Sequence, residues 1–381
     1  MRKVVWEEVR ARRLERSSLS ERAGGDRLVE IAGALCGVHA QVQASAELQL
    51  GARLDGLVQA DVRAALWEHR SLVKAWTVRG TLHLHPAQEL PLWHAARRAV
   101  HAGVDEELPA WRDPAGVLHE ALGAAESEAV RRAVWEALDG RCLLREELAE
   151  EVVKRVGSAP RERLRSGFAF FLDDLCQGPP QGSRITLARP DQWIESWEEV
   201  ADERGALREV CRRFLRTYGP TQPSAFSEWF GAGTFKVAEA RLLFDELAAE
   251  LAEVDVEGRR CFVLAADGSF PEPSSQVRLL PEYDVYVMGF RERDQLVPET
   301  VRELIASDGR GRYEGPAGVR FALVDGVAAG IWERRKRGGR IELEVRLARR
   351  IGKAQRAELK REAERLAGFL GLQPVLDVAP S

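Results

Sequence analysis

The sequence changes its hydrophobic period abruptly after residue 67, and this change constrains the fold more than any other feature. Apolar residues with helical spacing end near Trp67, and two β-rich runs follow at residues 74–78 and 81–86. Arg79 and Gly80 separate the runs, which predicts a β-hairpin. Helices followed by a hairpin are typical of a winged helix-turn-helix unit, whose second helix and wing commonly contact duplex DNA.

The same order of elements recurs twice further along the chain, without close self-similarity of sequence. The second copy has predicted helices at residues 129–138, 144–156 and 161–176, a turn at 177–182 and a strand at 184–188. The third has helices at 207–218, 223–230 and 237–251 and a hairpin of residues 251–256 and 261–265. We therefore predict an α+β fold with three tandem winged helix-turn-helix units, at residues 1–112, 113–200 and 201–272.

The last segment, residues 273–381, is predicted to be a β-rich domain that ends in a helix. The expected strands are residues 277–280, 285–289, 319–324, 330–333 and 341–347, and the expected helix is 352–370. A chain of 381 residues with 45% apolar content can bury a large core over several domains.

Composition and motif searches exclude several classes of function. The net charge of −4 gives no global basic field, so any nucleic-acid surface must come from local clusters of Arg and Lys. The five cysteines are scattered without CxxC spacing, which argues against a zinc site or a disulfide framework. Neither a signal peptide nor an apolar run of about 18 residues is found, so we expect a cytoplasmic protein. The phosphate-loop, zinc-protease and serine-hydrolase motifs are also missing.

Two glutamines, Gln41 and Gln43, are the first candidate site residues. They flank Val42 directly after an apolar run with helical spacing. In an extended backbone both amides would point to one spot and Val42 would point into the core, whereas a continuous helix would separate them. The pair is therefore meaningful only if the helix of residues 26–40 ends near Ala40. Most glutamines are plain surface residues, which is the alternative interpretation.

The hairpin at residues 74–86 contains further candidates. Arg79 at its tip is interpreted either as a DNA contact or as a solvated loop residue. His83 and His85 alternate with leucines, so both are expected on the polar face of their strand. Two histidines without a third ligand make a poor metal site, which leaves DNA contact or packing of the wing.

Two features of the C-terminal domain also carry chemistry. One is a run of four cations, interpreted either as a solvated face or as a phosphate-binding hairpin that follows a strand: Arg334, Arg335, Lys336 and Arg337. The other is the pair Tyr283 and Asp284, where the carboxylate either orients catalytic groups or caps a turn, and we favour the structural role.

Together these segments resemble the AlkZ/YcaQ family of winged-helix DNA glycosylases. The segments that carry the resemblance lie in family order along nearly the whole chain: residues 39–43 (HAQVQ), 75–83 (AWTVRGTLH), 216–220 (RTYGP), 279–286 (LLPEYDVY) and 325–332 (DGVAAGIW). The resemblance implies three winged helices and a β-rich part around a concave DNA channel. It also implies a bacterial protein that excises N7-alkylated purines, bulky adducts and, in some members, interstrand crosslinks from double-stranded DNA.

The family signature assigns catalysis to Gln41 and Gln43. Gln43 occupies the position at which another branch of the family has aspartate. An amide cannot act as a general base, so the pair would position a water and lend carbonyl dipoles to the developing sugar cation. This suffices for N7-alkylguanine, which leaves without protonation. Neither glutamine has a lysine beside it, which predicts a monofunctional enzyme. Within the resemblance, His39, Trp76, Arg79 and His83 are expected to contact DNA together with the basic run.

We expect a monomer that needs no cofactor or metal and associates with the nucleoid when bound to DNA. The alternative is a non-catalytic winged-helix DNA-binding protein, either a transcription regulator or a resistance protein that binds damage without cutting. Three winged units in one chain, without coiled-coil heptads, argue against a regulator.

Overall fold

The computed structural model describes residues 1–101, 107–113, 115–166, 174–231, 233–310, 313, 315 and 318–379. The described residues form both helices and sheets, which confirms the α+β class. The helices are α1 Trp6–Arg16, α2 Leu28–Ala34, α3 Gln43–Gly51, α4 Gln59–Trp67, α5 Leu90–His101, α6 Ala124–Ala137, α7 Arg145–Val156, α8 Arg161–Ser166, α9 Pro190–Trp193, α10 Glu203–Tyr218, α11 Pro223–Gly231, α12 Val237–Glu246, α13 Val285–Gly289, α14 Arg293–Leu296, α15 Glu299–Ile305 and α16 Lys353–Phe369. The strands are β1 Arg2–Val4, β2 Ala23–Gly24, β3 Val38–His39, β4 Leu54–Asp55, β5 Leu72–Trp76, β6 Leu82–Pro86, β7 Trp111–Arg112, β8 Leu118–His119, β9 Leu143–Leu144, β10 Cys176–Gln181, β11 Arg184–Ala188, β12 Leu251–Val256, β13 Arg259–Leu264, β14 Val277–Leu280, β15 Phe321–Val324, β16 Val327–Arg337, β17 Arg340–Leu347 and β18 Gln373–Ala379.

The described residues form two compact units. Unit 1 contains those within 1–63, 211–230 and 236–381, and unit 2 contains those within 64–210 and 231–235. In the part of the chain described here, no helix combines the length and the apolar character that crossing a membrane requires. The division into four segments made from the sequence stays a prediction.

Unit 1 is built on a sheet of strand order β14-β15-β16-β17-β18. Neighbouring strands are antiparallel except β17 and β18, which are parallel. Helix α16 contacts β14 and β18 and contributes Leu359 and Phe369 to the buried residues. A core cluster that includes Val9, Phe290 and Phe321 joins α1 to the sheet and to the helices that follow β14.

A second sheet of unit 1 has the order β1-β12-β13, with β1 parallel to β12. Strands β12 and β13 form a hairpin through Glu257 and Gly258, which both have positive φ. Helices α10, α11 and α12 precede this hairpin, as the pattern of the third copy predicts. Its function as a winged helix stays a prediction.

Unit 2 contains the antiparallel strands β6-β5-β10-β11-β9. Helices α6, α7 and α8 pack around a cluster that includes Val134, Leu148 and Leu164. The hairpin of β5 and β6, read from the change of period, is confirmed. The helix predicted over residues 161–176 is wrong at its end, since Cys176 starts β10 and pairs with Ala75 and Ala188; residues 167–173 lie outside the described residues.

Three further predictions of secondary structure in unit 1 are wrong. The helix of residues 352–370 was expected to be terminal, but β18 follows it and pairs with β17. The helix expected over residues 26–40 ends at Ala34, because Cys36 and Gly37 have positive φ and redirect the chain into β3. Residues 285–289, expected as a strand, form α13. Asp284 caps this helix by accepting a hydrogen bond from the Tyr286 amide, and such a cap favours the helical alternative for a short apolar run.

Candidate active site

The two glutamines lie at the junction between β3 and α3. Val42 has φ −109° and ψ 107°, so the backbone between Gln41 and Gln43 is extended, and Gln43 is the first residue of α3. Gln41 is exposed and Gln43 is half-buried. The required helix end before the pair is therefore present. The expected burial of Val42 is wrong. Val42 is 40% exposed, because the link between β3 and α3 lies at the surface.

The carboxylate of Glu47 lies directly beneath Gln43. Its side chain is fully buried, and Gln43 Nε2 donates to Glu47 Oε1 at 3.4 Å. From α4, Gln59 Nε2 donates to Oε2 at 2.5 Å, and Arg63 donates from Nε at 2.9 Å and from Nη2 at 3.2 Å. The hydrogen bond to Glu47 raises the pKa of Arg63. Four donor contacts thus hold this carboxylate in one place.

The inner side of α3 is polar and binds the loop that precedes α13. Ser45 Oγ donates to the Glu282 carbonyl. Gln49 donates from Nε2 to the His39 carbonyl at 3.0 Å and accepts at Oε1 from the Val285 amide at 3.2 Å. Gln49 thereby ties β3, α3 and the loop together behind the glutamine pair.

Tyr283 and Asp284 occupy this loop. Tyr283 has φ +59°, and its ring centroid is 5.3 Å from that of His39. Asp284 is fully buried and accepts two hydrogen bonds from Arg53, besides capping α13. These contacts support the structural role that we favoured for Asp284. His39, which was expected to contact DNA, is buried.

The basic run was expected to follow a strand, but it lies within one. The residues concerned form the exposed end of β16: Arg334, Arg335, Lys336 and Arg337. In the antiparallel register, Arg334 lies opposite Leu343 and Arg335 opposite Glu342. Because side chains alternate along a strand, the run is divided between the two faces of the sheet.

Arg334 differs from the other three cations. It is half-buried, and desolvation lowers the pKa of its guanidinium while the nearby negative charges of Glu282 and Glu47 oppose that shift. The sheet therefore places Arg334 near Glu47, the carboxylate that contacts Gln43. Arg337 pairs with Glu342 at 3.3 Å. Arg334 and Arg335 both line a groove of about 550 Å³.

The candidates of the first hairpin belong to unit 2. Arg79 is half-buried and has φ +57° in the tight turn between β5 and β6. Trp76 packs against the core cluster of this unit. Its side chain and that of Arg79 stay candidates for DNA contact.

The expected exposure of His83 and His85 is wrong. His83 is 2% exposed and donates from Nδ1 to the Thr81 carbonyl at 2.9 Å. His85 is fully buried, shares a hydrogen bond of 2.8 Å with Thr77 Oγ1, and its ring packs at an angle of 40° against that of Trp93. Every residue of β6 is buried, so the strand has no polar face, and this burial favours packing of the hairpin as the role of both histidines. Across the described part of the chain, no group of three or more His, Cys, Asp or Glu side chains is arranged to hold a metal.

Comparisons with known proteins agree over most of the chain. A family model described as DNA glycosylase AlkZ-like matches residues 32–369. A relative from Streptomyces sahachiroi, named interstrand DNA cross-link repair glycosylase, is 32% identical over 347 residues, which cover 87% of this chain and 88% of the relative. The chain belongs to the AlkZ-like DNA glycosylase family.

The fold gives the same result. The solved structure of the Streptomyces sahachiroi DNA glycosylase AlkZ matches with a TM-score of 0.78 at 27% identity and covers 99% of this chain and 100% of that one. The resemblance seen in the sequence and the prediction of a DNA glycosylase, a hydrolase of N-glycosyl bonds, are thus confirmed.

In this AlkZ-like glycosylase, the residues that support the glutamine pair were not recognisable from the sequence. Ser45, Glu47 and Gln49 are all fully buried, although polar residues of these types are mostly exposed. The one available signal is that α3, read as a helix, has polar residues on several sides and no clear apolar stripe. Arg53 and its partner Asp284 are far apart in sequence, and no local pattern connects them.

Proposed function

We propose that this AlkZ-like protein excises N7-alkylated purines from double-stranded DNA, including bulky adducts and interstrand crosslinks. The relative named for interstrand cross-link repair supports the last of these substrates. We further propose that the three copies of helices and hairpin act as winged helices on the duplex, that Trp76, Arg79 and Arg334 contribute contacts to it, and that the protein works as a cytoplasmic monomer.

The observation that carries this proposal is the extended link with a glutamine on either side of Val42. Because side chains at i and i+2 of an extended segment share a side, the backbone at Val42 supports a common region for both amides. Glu47, the carboxylate that contacts Gln43, is fully buried and bonded to Gln59 and Arg63, so it is not available as a nucleophile. The pair offers dipoles and hydrogen bonds rather than an acid or a base.

This chemistry suits a leaving group that is already activated. An N7-alkylated purine carries a positive charge and departs without a general acid, whereas a neutral damaged base would require protonation. The glutamine carbonyl oxygens would stabilise the developing sugar cation and hold the attacking water. Residues 38–73 contain no lysine, which supports simple hydrolysis without a lyase step.

The test is base release from a duplex that carries one N7-methylguanine. Wild type is compared with the Gln41→Ala/Gln43→Ala variant, and Gln373→Ala, at an exposed glutamine of β18, is the matched control. We expect release by wild type and the control, and loss of release in the double variant with DNA binding retained. Equal rates in all three proteins would refute a role for the pair.

Two further substrates separate the remaining outcomes. If wild type leaves N7-methylguanine in place but releases the base from a bulky N7 adduct or an interstrand crosslink, the substrate range is restricted to large lesions. If wild type binds all three damaged duplexes and releases nothing, the protein is a damage-binding member of the family without the proposed activity.

A further inference from the structure

Glu47 is a buried carboxylate for which the proposed chemistry has no direct use. It is the fourth residue after Gln43 on α3, and its donors Gln59 and Arg63 are likewise four apart on α4. Residues at this spacing lie on one face of a helix. Helix α3 therefore brings Gln43 and Glu47, and α4 brings Gln59 and Arg63, to a common point. Arg63 itself is 55% exposed and covers the carboxylate from the solvent side.

We propose that Glu47 is a positioning residue that fixes which end of the Gln43 amide faces the damaged nucleotide. The inference rests on the proposed function. An ionised carboxylate only accepts hydrogen bonds, so the Gln43 group that meets it must be the NH₂ group. The carbonyl oxygen lies on the other branch of the planar amide and is directed away from Glu47.

The direction of this amide decides whether Gln43 helps or hinders the reaction. With Oε1 toward the nucleotide, its partial negative charge stabilises the sugar cation and accepts a hydrogen bond from water. With the amide reversed, the positive end of its dipole would face the cation. An amide group alone has no strong preference between these orientations, and the fixed carboxylate supplies one.

The other donors keep Glu47 from moving. A buried carboxylate without a cationic partner is costly, and the two hydrogen bonds from Arg63 compensate its charge. Gln59 occupies a further acceptor position on Oε2. These contacts explain why a carboxylate can be buried here and why it presents Oε1 to Gln43.

A double-mutant cycle separates positioning from a purely structural link between α3 and α4. The variants are Glu47→Gln, Gln43→Ala and the two combined. Glu30→Gln, at an exposed glutamate that pairs with Arg27, is the matched control. Release of N7-methylguanine is measured with enzyme in excess, together with the Kd for the same duplex and the thermal midpoint of each variant.

Glutamine at position 47 can donate as well as accept, so it removes the orientational preference. We expect Glu47→Gln to slow release by about 10- to 100-fold, as misplacement of a catalytic group does, without changing the Kd. In the Gln43→Ala background the same change should cause no further loss of rate, although any loss of stability persists. Glu30→Gln should match wild type.

Two results would overturn the inference while the proposed function stands: release by Glu47→Gln at the wild-type rate, or losses that multiply in the combined variant. Absence of release by wild type, or release by Gln43→Ala at the wild-type rate, would instead refute the proposed function and the inference with it. If Glu47→Gln does not fold, Glu47→Asp replaces it, since the shorter side chain keeps the charge but withdraws from Gln43. The same dependence on Gln43 is then expected.

Discussion

Arg53 and Asp284 form a bidentate ion pair in which neither side chain is exposed. Arg53 Nη1 lies 2.8 Å from Asp284 Oδ2, and Nη2 lies 2.7 Å from Oδ1. Arg53 lies two residues after the end of α3 and Asp284 caps α13, so the pair fixes the loop that supports the glutamine segment.

Removing the charge of Asp284 should destabilise the protein strongly. In Asp284→Asn the buried Arg53 has no compensating charge, and we expect the free energy of unfolding to fall by about 3–5 kcal/mol. Asp294→Asn is the control, since Asp294 is 87% exposed in its pair with Arg302 and should cost less than about 1 kcal/mol. Denaturant unfolding measures both, and similar small losses would contradict the importance of the buried pair.

Acid should weaken unit 2 through His94. Burial, together with the charges of Arg97 and Arg98, lowers the pKa of His94 to about 3. The unfolded chain therefore binds more protons between about pH 6.5 and pH 3, so this stabilisation is complete above that window and is lost as the pH falls through it. Between pH 7 and pH 5 this effect lowers the free energy of unfolding by about 2 kcal/mol.

The comparison that tests this contribution is between His94→Phe and wild type. Phenylalanine fills the site beside Trp197 without titrating, so unfolding of the variant should depend less on pH between 7 and 5. His69→Phe changes an exposed histidine of the same unit and should behave as wild type. The same slope in all three proteins would show that His94 is not protonated on unfolding.

Arg79 should contribute to duplex binding without sequence preference. If it contacts phosphate, Arg79→Ala weakens binding equally for different sequences and reduces the slope of log K against log salt by about 1. Arg132→Ala removes an exposed arginine of α6 and should leave the slope unchanged. A salt titration of duplex binding decides this, and equal slopes for Arg79→Ala and wild type would place the side chain off the DNA.

The four cations of β16 should not contribute equally. Arg334 is near Glu47 and Glu282 and lies opposite Leu343, whereas Arg335 lies opposite the carboxylate of Glu342 in the register, although both arginines line the same groove. We expect Arg334→Ala to weaken duplex binding by about 10-fold, the value of one hydrogen bond to a charged group, and Arg335→Ala to weaken it less. The Kd values measure this order, and a larger effect of Arg335→Ala would reverse the assignment of the faces.

Local patterns were sufficient to predict most of the elements, but not the type of every one or all of their ends. The hairpin of β5 and β6 followed from period and turn residues, since both are local signals. The end of α2 could not be read, because it depends on Cys36 and Gly37 adopting positive φ in the folded chain. Residues 285–289 were assigned to a strand because five apolar residues fit either structure, and the cap from Asp284 decides for a helix.

For the candidate site, the sequence indicated the residues at the surface and not those beneath them. Gln41 and Gln43 could be singled out because their spacing has a geometric meaning. Glu47 looked like one more solvated glutamate, since its burial depends on Gln59 and Arg63 covering it. Conversely, His83 alternates with leucines as an exposed residue would, although the strand that contains it is buried throughout.

The contacts behind the glutamine segment also set the time at which the site can form during synthesis. Ser45 and Arg53 bond to residues 237 and 231 positions further along the chain. At about 5–20 residues per second, the ribosome needs roughly 10–50 s to add that length. Throughout this interval the nascent chain contains both glutamines but lacks the loop that orders them. The site can therefore become active only once the last third of the polypeptide is being synthesised.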